Sequence, residues 1–312
     1  MQENLENESI FRLGLTETRL VYSFFLETKF EDSLLPVEKE SIISEKKKFL
    51  NWLFTTSGFY DKTIRYDSSK NKLIDANELD QSSTYKTYMQ ITLKILLKTT
   101  KYKLIKDSIL FKSNYKEKFI DYCKENAQFY KDTVPDISMT KLYQQIMKNK
   151  DILIISSFCE LIQQQIENGN FYRLVNEDGY EINSVKYYTT QYTFFNNGPH
   201  SNIFETFNYY IQDITKKCGN NYSVVFISCG AYSTLFFDHF YNQGKMCINL
   251  GGQIQEFFGI LNQRYKEKSQ NGINNILEQH FGYNYENPNL IREIDDKYKP
   301  PNHKGIEGGC YW

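Results

Sequence analysis

Residues 224–260 read VVFISCGAYSTLFFDHFYNQGKMCINLGGQIQEFFGI. Val224 to Ile227 is a short apolar run, the mark of a strand covered on both faces. Ser228 to Tyr232 then forms a tight turn of mostly small residues. Leu235, Phe236, Phe237 and Phe240 recur at helical spacing, and Gly244 stands where a helix C-cap is expected. Met246 to Leu250 is a second apolar run, closed by Gly251 and Gly252. Two strands joined through a helix make a βαβ unit with parallel strands. Ligands of such units bind beyond the carboxyl ends of the strands, where helix N-termini offer N–H groups to anions.

Working outward, the same alternation begins near Lys148. Asp151–Ile155 reads as a buried strand, with Ser156-Ser157-Phe158 as its turn and a helix from Leu161. Residues 169–183 read as a loop, Ser184–Tyr188 as a strand and Thr189–His200 as a polar loop. Ile203, Phe204, Phe207, Tyr210, Ile211 and Ile214 give a strong helical face. Strands separated by helices of this length predict a doubly wound, mostly parallel α/β sheet, Rossmann-like, over residues 148–260. Ahead of it, Ser9–Glu17 reads as strand, glycine turn and helix start, with residues 1–8 a frayed tail. Residues 61–82 read as a loop, Tyr85–Leu97 as an amphipathic helix, and 61–147 as a variable, mainly helical insert. The whole chain, 1–312, is expected to form a single domain. Lys46, Lys47 and Lys48 read as a solvated helix face.

Composition narrows the function. The chain carries 37 basic and 38 acidic residues, so no global field argues for nucleic acid or an anionic membrane. Its 16% aromatic share lowers the worth of any single aromatic stripe. The six cysteines show no CxxC pair and no zinc-ligand spacing, which predicts a reducing, cytoplasmic setting without disulfides. The polar, acidic start does not read as a signal peptide. No apolar run approaches the ~20 residues that cross a bilayer. A GxxxxGK[ST] loop, a GxGxxG turn and a GxSxG elbow are all missing, which argues against P-loop, dinucleotide and α/β-hydrolase chemistry.

What remains is a set of turns after strands: Arg12–Glu17, Ser156-Ser157, Gly230–Tyr232 and Gly251–Gln255. Turns at one edge of a parallel sheet converge in space, and small residues there let a diphosphate approach the backbone. Arg12 and Glu17 can be a surface salt bridge, or a pair in a cleft contacting a phosphate or metal. Gly251-Gly252 can be a plain strand stop. The histidines are scattered, and His200 lies in a loop expected at the functional edge. The aromatic pair Tyr311-Trp312 is expected to fold back onto the body.

These stretches resemble the GT-D-type glycosyltransferases and their viral and bacterial relatives. SIFRLGLTE is similar to that group's R-x-G-x-x-E start, and KDILIISSFCELIQQQ to its "KvLVIsPF..sI..Q" strand and helix. CGAYSTLFFDHFYNQGKMCINLGGQIQEFFGI resembles "cGaY…Gk.ai.lGG.lQ..FGI", GILNQRY resembles "GIkGkRW", and EGGCYW resembles "E-g-x-x-YW". The resemblance covers most of the chain outside 61–145. It implies a transferase moving a sugar from a nucleotide-sugar donor to a glycan acceptor, in surface or capsid glycan synthesis. For a viral member the setting would be the cytoplasm of an infected cell.

Carried over by position, Arg12, Gly14 and Glu17 match the opening motif, and Gly230 and Tyr232 match the cGaY turn. Gly251, Gly252, Gln253, Gln255, Phe258 and Gly259 match the lGG.lQ..FG segment, and Arg264 the Arg of GkRW. Arg12 and Arg264 suit bidentate phosphate contacts, and Ser156 joins the binding set from its turn. Glu17 is the candidate general base, with Glu307 a second if the tail covers the cleft. The better-studied branch has a D-G-E pair associated with a divalent metal, Mn²⁺ or Mg²⁺. Here Leu15 and Thr16 precede Glu17, so Glu17 alone is left as metal ligand. Alternative readings are a non-catalytic nucleotide- or glycan-binding module of the same fold, or another transferase on that scaffold, such as a methyl or pyruvyl transferase.

Overall fold

The computed structural model describes residues 8–96, 102–105, 115–125, 129–131, 137–263, 275–306 and 311–312. Its strands are β1 (Ile10–Arg12), β2 (Tyr66–Asp67), β3 (Lys72–Leu73), β4 (Tyr102–Leu104), β5 (Phe129–Lys131), β6 (Asp151–Ser156), β7 (Ser184–Thr189), β8 (Val224–Ser228) and β9 (Met246–Asn249). The helices of the first half are α1 (Leu15–Phe30), α2 (Pro36–Thr56), α3 (Ala76–Gln81), α4 (Ser83–Lys94), α5 (Lys116–Lys124) and α6 (Ile137–Met147). Those of the second half are α7 (Cys159–Glu167), α8 (Asn170–Val175), α9 (Ile203–Cys218), α10 (Tyr232–Asn242), α11 (Ile254–Phe257) and α12 (Asn275–Phe281).

Seven strands form one sheet in the order β5-β4-β1-β9-β8-β6-β7, with every pairing parallel. Parallel strands need cover on both faces, and the sequence supplies it by strict alternation. Ile152, Ile154, Val224, Phe226 and Ile248 point to one face, packed under α6, α7 and α11. Leu153, Ile155, Val225, Ile227 and Cys247 point to the other, packed under α1, α4, α9 and α10. From β6 the chain winds outward to β7, then returns to β8 on β6's other side. The winding therefore reverses between β6 and β8, and a crevice opens there at the carboxyl edge.

The doubly wound α/β expectation holds, with differences of detail. The stretch 61–147 supplies helices, but also β4 and β5, which extend the main sheet beyond β1. The expected loop at 61–82 contains the antiparallel pair β2–β3 and helix α3. The expected loop at 169–183 holds α8. Gly244 sits just past α10 with φ +75°, as its C-cap role requires. Residues 1–7 of the expected tail lie outside the described residues.

The lysine run departs most from expectation. Lys47 and Lys48 are exposed, but Lys46 is only 4% exposed and pairs with Glu27 of α1 and Asp80 of α3. Its charge lies between two carboxylates, in contact distance of the Tyr85 ring. Burial holds the Glu27 carboxyl above the usual carboxylate range, against the pull of Lys46. Lys46→Ala leaves two neighbouring carboxylates without their cation, which is expected to cost about 3 kcal/mol in a denaturant melt. The folded state of that variant takes up the Glu27 proton at higher pH than the unfolded chain. Part of the loss is therefore expected to return as pH falls into the carboxylate range. A loss that is the same at every pH would show that packing, not charge, sets the effect.

Candidate active site

The carboxyl edge of the sheet opens into a cleft of about 1030 Å³, whose walls include Arg12, Glu17, Ser57, Ser157, Gly230 and Gly251. It crosses the sheet from the end of β1 to the loop after β7, four strand spacings or about 19 Å. Loops far apart in sequence thus meet at one rim.

At the β1 end the backbone is fixed by a small hydrogen-bond circuit. Asn249 Nδ2 donates to Arg12 O at 2.8 Å, and Asn249 Oδ1 accepts from the Gly251 N–H at 3.1 Å. Ser228 Oγ donates to Gly251 O at 2.6 Å, and Arg12 Nη1 donates to Leu250 O at 3.1 Å. Gly251 has φ +54°, and a Cβ there would lie 2.6 Å from Arg12 Nη1. The guanidinium therefore lies directly on the glycine turn, which any side chain at Gly251 would displace. Glu17 stands in the first turn of α1, where an anionic side chain complements the helix dipole. Its Oε2 is 2.6 Å from where a Cβ on Gly14 would be, so Gly14 makes room for the carboxylate.

The turn after β8 is shaped differently. Gly230 has φ +60°, and a Cβ there would lie 2.2 Å from Ser57 O at the end of α2. The Ala231 N–H donates to that same carbonyl at 2.7 Å, and the Cys229 N–H donates to Ser233 Oγ at 2.9 Å. Together with Gly251 N–H, these are amides that a bare backbone cradle for diphosphate would need. These three amides are engaged within the protein. Gly230 is explained by close backbone approach.

The remaining sequence candidates divide. Gly14, Tyr232, Gly252, Gln253 and Gln255 also line the cleft. Tyr232 is buried, with its ring edge-on to Tyr210 at 5.3 Å. Gln255 is fully buried, and its Nε2 donates to Tyr311 O at 2.8 Å. A Cβ on Gly252 would lie 3.0 Å from the Tyr311 ring. Gly252 and Gln255 thus seat Tyr311. Ser156 is fully buried and its Oγ accepts from Phe158 N–H at 3.2 Å, capping the turn; its neighbour Ser157 faces the cleft instead. Arg264 and Glu307 lie outside the described residues, as does Cys310. The aromatic pair does fold back: Trp312 is 7% exposed and packs on Phe158, Tyr192 and His303.

His200 is not a cleft residue; its Nδ1 is 2.7 Å from Thr206 Oγ1, while His280 reaches the cleft wall. Sequence reasoning also passed over Glu256, which is 1% exposed and lines the same cleft. Asn262 Nδ2 donates to its Oε1. Its signal was present: a lone acid inside the apolar run QIQEFFGI is costly to bury unless it is partnered. Burial pushes the Tyr192 phenol up to about 12. Burial also raises the Cys229 thiol, which keeps it from being a nucleophile. The five described cysteines are buried free thiols.

Among the described residues no three His, Cys, Asp or Glu side chains gather as a metal-ligand cluster. The carboxylates described on the cleft wall are Glu17 and Glu256, which among the described residues fall short of a three-ligand metal set. No described helix is long and apolar enough to cross a membrane.

No family model matches the chain. No curated protein matches it. Two solved structures are similar to it over 95% of both chains, each at 12% identity and a TM-score of 0.37. One is a selenomethionine-substituted structure of domain of unknown function 1792. The other is described as showing that this highly conserved domain has a distinct glycosyltransferase fold. The α/β assignment here rests on the strand order and winding of the chain itself.

Proposed function

We propose that the cleft binds a nucleotide sugar and transfers its sugar to a glycan hydroxyl. One observation supports this above the others: Arg12, Glu17 and the turns after β8 and β9 share a single cleft at the carboxyl edge of a parallel sheet. Arg12 takes up the negative charge that grows on the diphosphate as the bond to the anomeric carbon breaks. Glu17 accepts the proton of the acceptor hydroxyl while its oxygen forms the new bond to that carbon. The nucleoside diphosphate leaves with the electron pair. A divalent ion would have Glu17 as its protein ligand and would draw its remaining ligands from the substrate phosphates and water.

Calorimetry with a panel of uridine and guanosine diphosphate sugars, with and without Mn²⁺, tests the reading. At least one donor is expected to bind, and Arg12→Ala to weaken it about tenfold or more, the scale of a charged hydrogen bond. If the wild-type chain binds none of them, the proposal fails. A non-catalytic module of the same fold is the second reading, favoured by the lack of a second acid beside Glu17. Slow donor hydrolysis separates the two, since a pure binding module returns the sugar nucleotide intact.

A further inference from the structure

At the far end of the cleft the lining changes from polar to aromatic. Phe158 comes from the turn after β6, Tyr192 and Phe194 from the loop after β7, and Tyr311 and Trp312 from the returning chain. Tyr192 and Phe194 stack at 5.6 Å. Phe158 meets Tyr192 edge-on at 6.5 Å. Trp312 backs both, 5.8 Å from Tyr192 and 6.1 Å from Phe158. Trp312 is almost wholly buried, whereas Phe158, Tyr192, Phe194 and Tyr311 are partly buried and line the cleft. Gln191 and Gln253 bring amide groups to the same cleft.

One member of this wall, Tyr311, has a fixed relation to Arg12. Arg12 lies on Gly251, and Tyr311 on the adjacent Gly252. Those two contacts and one peptide unit hold the Tyr311 ring edge within about 12 Å of the guanidinium. A ribose and a diphosphate, with a hydrogen bond to the guanidinium, bridge a gap of that order. We propose that the aromatic wall is the subsite for the base of a nucleoside diphosphate whose phosphates lie on Arg12. The proposal rests on reading the cleft as a nucleotide site. A base has a flat π-face that aromatic side chains hold by stacking, largely regardless of its identity. The amides of Gln191 and Gln253 suit its polar edge.

The test compares inorganic pyrophosphate with UDP, GDP and ADP by calorimetry, on wild type, Tyr192→Ala and Tyr192→Trp. At least one nucleoside diphosphate is expected to bind about tenfold or more tightly than pyrophosphate, the scale of one stacked base. Tyr192→Ala is expected to lose most of that margin and leave pyrophosphate affinity within about twofold, and Tyr192→Trp to keep it. Thermal melts identify a variant that has not folded, and Phe194→Ala then takes its place. If pyrophosphate binds as well as every nucleoside diphosphate, the base subsite is wrong while the diphosphate site stands. If nothing binds, pyrophosphate included, both readings fall. If Tyr192→Ala spares the nucleotides but raises the KM of the glycan acceptor, the wall belongs to the acceptor and the proposal is overturned.

Discussion

Glu17→Gln is expected to lower the rate of sugar transfer by about 10²- to 10⁴-fold, the usual contribution of a positioned general base. Glutamine keeps the size of the side chain and its place against Gly14. It cannot take a proton. Donor affinity should therefore change little, and the loss should fall on kcat. The measurement is single-turnover transfer at saturating donor, beside donor calorimetry on the same preparation. A rate within threefold of wild type would remove Glu17 from the chemistry. Glu256, the other carboxylate described on the cleft wall, would be the next to test. A large rise in donor Kd with unchanged kcat would instead make Glu17 a binding residue.

Gly230→Ala is the second large effect, and it acts on the scaffold. The backbone there is left-handed, and the new methyl would fall 2.2 Å from a main-chain carbonyl that already bonds the next residue. Neither partner is a flexible side-chain end, so α2 or the turn after β8 must move. The expected cost is on the order of 3–5 kcal/mol, at the top of the range for single substitutions. Gly244→Ala is the control: its φ is +75°, but a Cβ there meets nothing within 4 Å. Strain alone predicts about 1–2 kcal/mol for it. Matched denaturant melts separate strain from collision. Equal losses at the two sites would show that the contact with Ser57 carries no penalty.

The centre of the fold was legible because its strands are buried on both faces. Asp151–Ile155, Val224–Ile227 and Met246–Leu250 read as apolar runs for the same reason that the strands Asp151–Ser156, Val224–Ser228 and Met246–Asn249 pack as they do. Strands β4 and β5 were hidden because they are three residues long and carry lysine and tyrosine. Lys103 lies in β4 yet is fully buried, its Nζ donating to Cys123 O at 3.0 Å and Glu125 O at 3.4 Å. A lysine that is satisfied by the carbonyls at a helix end looks in sequence like a solvated one. Lys46 misleads in the same way.

The convergence of these turns on one cleft was legible, and the roles of its parts less so. Turns after parallel strands must share an edge, which brought Arg12, Gly230 and Gly251 to one cleft. Which amides were already engaged depended on Ser57, Asn249 and Ser233, partners that no spacing rule names. The shift from Ser156 to Ser157 is a matter of one residue's direction at a strand end. The aromatic wall was masked by a composition in which tyrosine and phenylalanine are common everywhere.

Strand β1 finds one of its sheet partners, β9, in the last third of the chain, with Ile10 set against Ile248. Closure of the sheet around β1 is thus a late and strongly non-local event, of the kind that folds slowly. During synthesis the edge of β8 that β9 will cover waits without a neighbour until residues near 249 emerge. A ribosome-stalled or prematurely ended chain would display that edge and the apolar faces beside it, and would be prone to clumping.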